Sequence, residues 1–254
     1  MSDPVSVQIE GRVALVTIDH PPANAISQAV VEGLRAAVAG ASADGNLRAL
    51  VITGAGTRFF AAGADVSEFP NVGGSVAQGG QALTLEIENS PLATIAAING
   101  MAFGGGCEIA LACDVRIAAR TARLGQPEIN LGIIPGWGGT QRLVRVVGQG
   151  RAMPLLLSGD PVDAETALSI GLVSQLTEPE ELVGTALALA DRLAAKAPLA
   201  LAATKRVVLE GMTLPIAEAL EVERREFAGL FDTADAREGV TAFLEKRKPA
   251  WTGR

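Results

Sequence analysis

The chain opens on an alternation. Val5, Val7 and Ile9 recur at every second position, Gly11-Arg12 interrupts them, and Val13, Leu15 and Ile18 follow. This pattern predicts a β-hairpin, closed by Pro21-Pro22. Ser27 then stands ahead of Val30, Leu34 and Val38, which share one helical face, so Ser27 is read as the helix cap. Leu47 to Thr53 is a β-branched and apolar run ending in Gly54-Ala55-Gly56, the signature of a buried strand and its turn. Ile95-Ala96-Ala97-Ile98 followed by Asn99-Gly100 repeats that logic. Gly105 to Ala112 reads as a helix and Val115-Arg116-Ile117 as another strand. Strands alternating with helices imply an α/β fold with crossover connections.

Beyond about residue 140 the pattern turns helical. Leu182, Ala186, Leu187, Ala190 and Leu193-Ala194 fall on one face. Pro198 to Lys248 is also mostly helical, with breaks at Gly211, Pro215 and Gly229. Such a late helical block covers the core or packs against another subunit. The glycine-rich piece Asn71 to Gly80 reads as a mobile loop. No repeat of fixed length and no linker stand out, although the strand–turn–helix unit recurs loosely.

Composition narrows the partners. The chain has 254 residues, 48% of them hydrophobic, enough to bury roughly 70–75% of the unfolded surface. Its net charge is −7, from 21 basic and 28 acidic residues, which argues against nucleic acid as a general partner. A few local cations could still hold an anionic ligand. Cys107 and Cys113 are too few for a disulfide framework and fit a reducing compartment. With His20 as the single histidine they make no zinc set. The amino terminus shows no targeting pattern, and no apolar run reaches the roughly 20 residues of a membrane helix. These features lead to the expectation of a soluble cytoplasmic protein.

With one histidine and no tyrosine, carboxylates are the natural proton carriers of any reaction here. Glu108 follows Gly104-Gly105-Gly106 at the start of a helix. Glu128 sits in Gly125-Gln126-Pro127-Glu128, ahead of an apolar stretch ending at Pro135-Gly136-Trp137-Gly138-Gly139. The triple glycine is neither a dinucleotide fingerprint nor a phosphate loop, and no nucleophile elbow is present. It is read either as a tight turn needing positive φ or as a helix end whose bare N–H groups face a ligand oxygen. The small residues of Phe60-Ala61-Ala62-Gly63-Ala64-Asp65 form a second stretch of accessible backbone donors. Either glutamate, taken alone, reads more readily as structural than as catalytic. Trp137 could fill the core or line a pocket for an apolar tail.

Taken together, these segments resemble a known family. Ile95-Ala96-Ala97-Ile98-Asn99-Gly100 through Gly104-Gly105-Gly106-Cys107-Glu108 to Cys113-Asp114 resembles the signature of the crotonase (enoyl-CoA hydratase/isomerase) family. Phe60 to Asp65, Gly125 to Glu128, Pro135 to Arg142 and Ala242 to Arg247 match further family motifs in the expected order. The resemblance spans nearly the whole chain.

The resemblance implies an α/β spiral of ββα units over residues 1–195. Residues 196–254 would form a C-terminal helical region that builds a homotrimer or homohexamer and part of the coenzyme A site. It implies an acyl-CoA thioester as ligand, with no metal and no cofactor beyond the coenzyme A of the substrate. The N–H groups of Ala64 and Gly105 would form an oxyanion hole. Glu108 would activate water, Glu128 would protonate C2, and the Gly136 N–H would help to hold the water. Arg58, Ala62, Asp65, Val66 and Lys246 would meet coenzyme A, and Trp137 the acyl group. Ser67 stands where some relatives place a lysine, which thins the phosphate contacts. Two glutamates favour hydration of a trans-2-enoyl-CoA, in fatty-acid or related acyl-CoA metabolism. A Δ3-Δ2 enoyl-CoA isomerase and a non-catalytic acyl-CoA binder are the alternatives.

Overall fold

The computed structural model describes residues 3–68 and 75–254. Strands β1 (Val5–Glu10) and β2 (Val13–Ile18) form the expected antiparallel hairpin. On β1 only Val5 is buried, so Val7 and Ile9 leave an apolar edge on the surface. Helix α1 (Gln28–Ala43) begins at Ser27, whose Oγ accepts the Val30 N–H at 3.4 Å. Val30, Leu34 and Val38 are its buried stripe, as their spacing requires.

A two-strand, one-helix unit then repeats. Strand β3 (Ala49–Gly54) leads to the short β4 (Phe59–Ala61) and helix α2 (Ser75–Glu88). Next come β5 (Ala93–Ile98), β6 (Met101–Phe103) and α3 (Gly105–Ala112), then β7 (Val115–Ala119) and β8 (Arg123–Gly125). A 3-10 turn over Pro127–Leu131 precedes α4 (Gly139–Val147) and α5 (Gln149–Ser158). The first strands of each unit join β2 in one sheet and the second strands form another, so the chain winds as a spiral between two sheets. Pairing within each sheet is parallel from unit to unit.

Two-sided burial explains the unbroken apolar strands. Along β3, Leu50 and Ile52 enter the core beneath α1, α2 and α3, while Ala49 and Val51 enter a second core on the opposite face. Strands covered on both faces carry no polar side. The second core is closed by α7 (Leu182–Ala194), through Leu182, Ala186 and Ala190. A fully buried side chain of the size of Leu50 or Ile52 contributes roughly 1.5–3 kcal/mol.

Two expectations need correction. The carboxy-terminal half is not wholly helical: β9 (Val162–Asp163) pairs with β8, and β10 (Gln175–Thr177), following the short helix α6 (Ala164–Ser169), extends the large sheet beside β7. Strands this short show no periodicity and owe their form to the neighbour they pair with. The expected loop Asn71–Gly80 is helical from Ser75 onward, and its first part lies outside the described residues. Gly80 is buried in α2 against the Trp137 ring, so its lack of a side chain serves packing.

The chain ends in α8 (Pro198–Gly211), α9 (Ile216–Leu230) and α10 (Ala234–Leu244). Lys205 ties α8 to the core through Asp114 Oδ2 at 2.8 Å and the Leu92 carbonyl at 2.7 Å. Asp235 is buried and accepts from the Thr252 and Gly253 N–H groups at 2.7 and 3.0 Å, which latches the last residues onto α10.

Candidate active site

Helix α3 begins without a side-chain cap. Gly104, at φ +51°, takes the cap position in a conformation that only glycine adopts cheaply. The first N–H groups of a helix lack intrahelical acceptors, and the Gly104 cap offers them no side-chain acceptor. Glu108 lies one turn in and is 2% exposed. Its Oε1 accepts the N–H groups of Trp137 and Gly139, both at 2.7 Å. Burial raises the proton affinity of Glu108, whereas the Gly139 and Trp137 N–H groups and the Arg142 charge pull it back.

The loop that supplies those donors is clamped from both sides. Gln81 of α2 donates to the Gly136 carbonyl at 2.9 Å, and Thr84 Oγ1 donates to the Trp137 carbonyl at 2.8 Å. From α4, Arg142 donates to the same Trp137 carbonyl at 3.0 Å while its fork grips Glu88 with two bonds of 2.8 Å. Gly138, at φ +109°, starts α4, and a side chain there would collide with the Arg142 guanidinium.

Glu128 reaches the same place from another element. It sits in the 3-10 turn that Pro127 initiates. A Cβ on Gly104 would lie 2.9 Å from its Oε1, so the bare glycine lets this carboxyl close on the helix end. Burial pushes its pKa up to about 7; its own N–H opposes the shift and the Glu108 charge adds to it. Gln126, 1% exposed, completes the group. With its amide nitrogen turned to Glu128 it donates to both carboxyl oxygens, at 3.1 and 3.2 Å. Sequence reasoning missed Gln126 as a functional residue, although it stands within the Gly125–Glu128 motif; its burial was the missing signal.

Ala64 approaches from β4. Its bridge to Ile26 uses the Gly63 carbonyl and the Asp65 N–H, at 2.8 and 3.1 Å. Alternation along the extended chain turns the Ala64 N–H to the other side. A cavity of about 1000 Å³ is shared by Ala62, Ala64, Val66, Gly105, Glu108, Glu128, Gly136 and Trp137. Eight of the eleven residues expected at the site thus meet, eleven less Arg58, Asp65 and Lys246. Arg58 is exposed and stacks 5.1 Å from the Phe59 ring centroid. Asp65 Oδ1 accepts from the Ser67 hydroxyl and N–H at 2.7 and 3.0 Å. Lys246 lies exposed beyond α10. Trp137 is 4% exposed and also lines the cavity.

The profile of the family described as enoyl-CoA hydratase/isomerase matches residues 8–254. The chain belongs to the enoyl-CoA hydratase/isomerase family. It is 44% identical to a probable enoyl-CoA hydratase of Bacillus subtilis over 98% of both chains. It is 42% identical to a short-chain-enoyl-CoA hydratase of Clostridium acetobutylicum, over 96% of this chain and 95% of that one. The crystal structure of an enoyl-CoA hydratase from Bacillus anthracis superposes with a TM-score of 0.95 at 36% identity, covering 99% of this chain and 100% of the other. The crotonase-type spiral is therefore the fold of this family member.

Within that family frame the two carboxyls are unequal. Glu108 accepts two main-chain N–H bonds, which favour its ionised form. Glu128, near pKa 7, holds its proton through most of the acidic range. Pairs whose surroundings separate their proton affinities can divide the roles of base and acid.

Proposed function

We propose that the chain hydrates trans-2-enoyl-CoA thioesters to 3-hydroxyacyl-CoA. The observation that carries this reading is the pairing of Glu108, held by the Trp137 and Gly139 N–H groups, with the proton-retaining Glu128 in one cavity. The hydratase names of the relatives support it.

The thioester carbonyl is bound by the N–H groups of Ala64 and Gly105. Each donor aimed at the developing enolate oxygen contributes roughly 3–4 kcal/mol. This withdrawal of charge makes C3 electrophilic. Glu108 takes a proton from water, held also by the Gly136 N–H, as its oxygen attacks C3. Glu128 delivers a proton to C2, and the two carboxyls titrate as a coupled pair. Water and the thioester are the only reactants, and coenzyme A belongs to the substrate. Ala62 and Val66 border its path at the cavity mouth. Arg58, Asp65 and Lys246 complete its binding in this reading.

The division at residues 195 and 196 follows the same reading, with the later helices as the assembly region of a homotrimer or homohexamer. Phe227 and Phe231 stack edge-to-face at 5.1 Å and are exposed together with Phe243 and Leu244, which suits a covered surface. Among the described residues no helix is long and apolar enough to cross a membrane. A cytoplasmic location is part of this reading, in keeping with two free, buried cysteines.

Purified protein given crotonyl-CoA is expected to consume the enoyl-thioester absorbance. Absence of turnover with short, medium and long enoyl-CoAs would sink the proposal.

A further inference from the structure

Trp137 is fitted between two glycines. A Cβ on Gly80 would collide with its ring, and one on Gly105 would lie 2.7 Å from ring atom Cζ3. The main chain that carries the ring is fixed by Thr84, Arg142 and Glu108. The indole therefore has little room to turn. Beyond it lies a second cavity of about 690 Å³, which shares Gln81, Trp137, Gly138 and Gln141 with the catalytic one. The far cavity mixes charge with apolar surface, with Glu88, Arg142 and Arg206 beside Leu85, Leu209 and Met212 in its walls.

We propose that Trp137 is the partition that closes the acyl end of the catalytic cavity and restricts the enzyme to short-chain enoyl thioesters. The proposal rests on the hydratase reading for the identity of the ligand. In that reading the Gly105 N–H grips the thioester carbonyl, and the indole edge stands against that same residue. The wall is thus only a few carbons from the reacting double bond. A longer tail would have to displace a ring packed on both sides. Its alternative is the cavity beyond, where a tail would have to cover the Glu88 and Arg142 charges. Gly80 in the middle of α2 belongs to the same device. Glycine is unfavourable in a helix interior relative to alanine, and here it makes the space that the indole fills.

The test is a series of kcat/KM values for crotonyl-, trans-2-hexenoyl-, trans-2-octenoyl- and trans-2-decenoyl-CoA. It uses the wild-type protein, Trp137→Phe, Trp137→Leu and Trp137→Ala, which all retain the main-chain N–H to Glu108. The wild type should lose at least about tenfold between crotonyl and decenoyl substrates, a discrimination within reach of a pocket wall. Trp137→Phe should keep most of that preference, while Trp137→Leu and Trp137→Ala should progressively flatten or reverse it. Calorimetric titration with saturated butyryl- and decanoyl-CoA reads the same cut-off without chemistry. If wild-type protein binds and converts decenoyl-CoA as well as crotonyl-CoA, the partition is overturned and the hydratase reading stands. The same holds if folded Trp137→Leu keeps the wild-type length ratio. If no enoyl-CoA is converted but decanoyl-CoA binds at least tenfold more weakly than butyryl-CoA, the hydratase reading fails and the partition stands.

Discussion

Burial raises the proton affinity of both glutamates, yet only Glu108 is given two main-chain donors in return. That asymmetry has consequences in pH. Glu128 has a native pKa of about 7 against an ordinary value of 4.5. Between those values the folded protein keeps a proton that the unfolded chain has lost. The stability linked to this proton is complete below the window and falls as pH rises through it. Glu128→Gln is neutral throughout, so it should remove that slope and raise the Tm at pH 8 relative to wild type. Parallel Tm curves from pH 5 to pH 8 would contradict the assignment. Wild-type kcat/KM for crotonyl-CoA should decline as pH rises above about 7, because the proton donor is lost; a profile flat to pH 9 would exclude Glu128 as the acid. At this scale the sequence was partly legible. Glycine and proline beside each glutamate marked the two positions, but Gln126 and the donors from Trp137 and Gly139 belong to contacts that bring distant segments together.

The loop from Pro135 to Gly139 is the element on which the site turns, since it orients Glu108 and carries Trp137. Gly138 holds it at φ +109° beside the Arg142 guanidinium. Gly138→Ala should cost about 1–3 kcal/mol through backbone strain, and should lower kcat further by moving the donors off Glu108. Thermal melting and hydration kinetics check the two effects; an unchanged kcat with a lowered Tm would show that the loop does not govern the chemistry. Long elements were readable beforehand. The hairpin, the Ser27-capped helix and the glycine-led helix follow from periodicity and caps. The three-residue strands β4, β6 and β8 were not, because their existence depends on pairing across the spiral. Glycines read as a sign of mobility in Asn71–Gly80 proved, at Gly80, to mark the seat of an indole.

For the molecule as a whole, alternation of strand and helix already specified an α/β fold, and the family resemblance carried by the ordered motifs implied the spiral. Assembly is where the surface speaks instead. Phe227 is 63% exposed and Phe243 83% exposed on a late helical block. A contiguous exposed apolar patch is a candidate interaction site, and the proposed homotrimer or homohexamer would cover this one. Phe227→Glu combined with Phe243→Glu should shift sedimentation from an oligomer to a monomer. A wild-type protein that sediments as a monomer at micromolar concentration would remove the assembly proposal. The short strands β9 and β10 escaped the sequence because each is held by the strand it pairs with.

Glu108 and Glu128 are proposed to act on one water molecule beside a polarised thioester. The decisive experiment incubates crotonyl-CoA in isotopically labelled water with wild-type protein, Glu108→Gln and Glu128→Gln, followed by mass spectrometry of the product. Wild type should place one labelled oxygen at C3, and each variant should be slower by roughly 10²–10⁴-fold with its fold intact. Full-rate hydration by Glu108→Gln, or a wild-type product that carries no labelled oxygen, would contradict it.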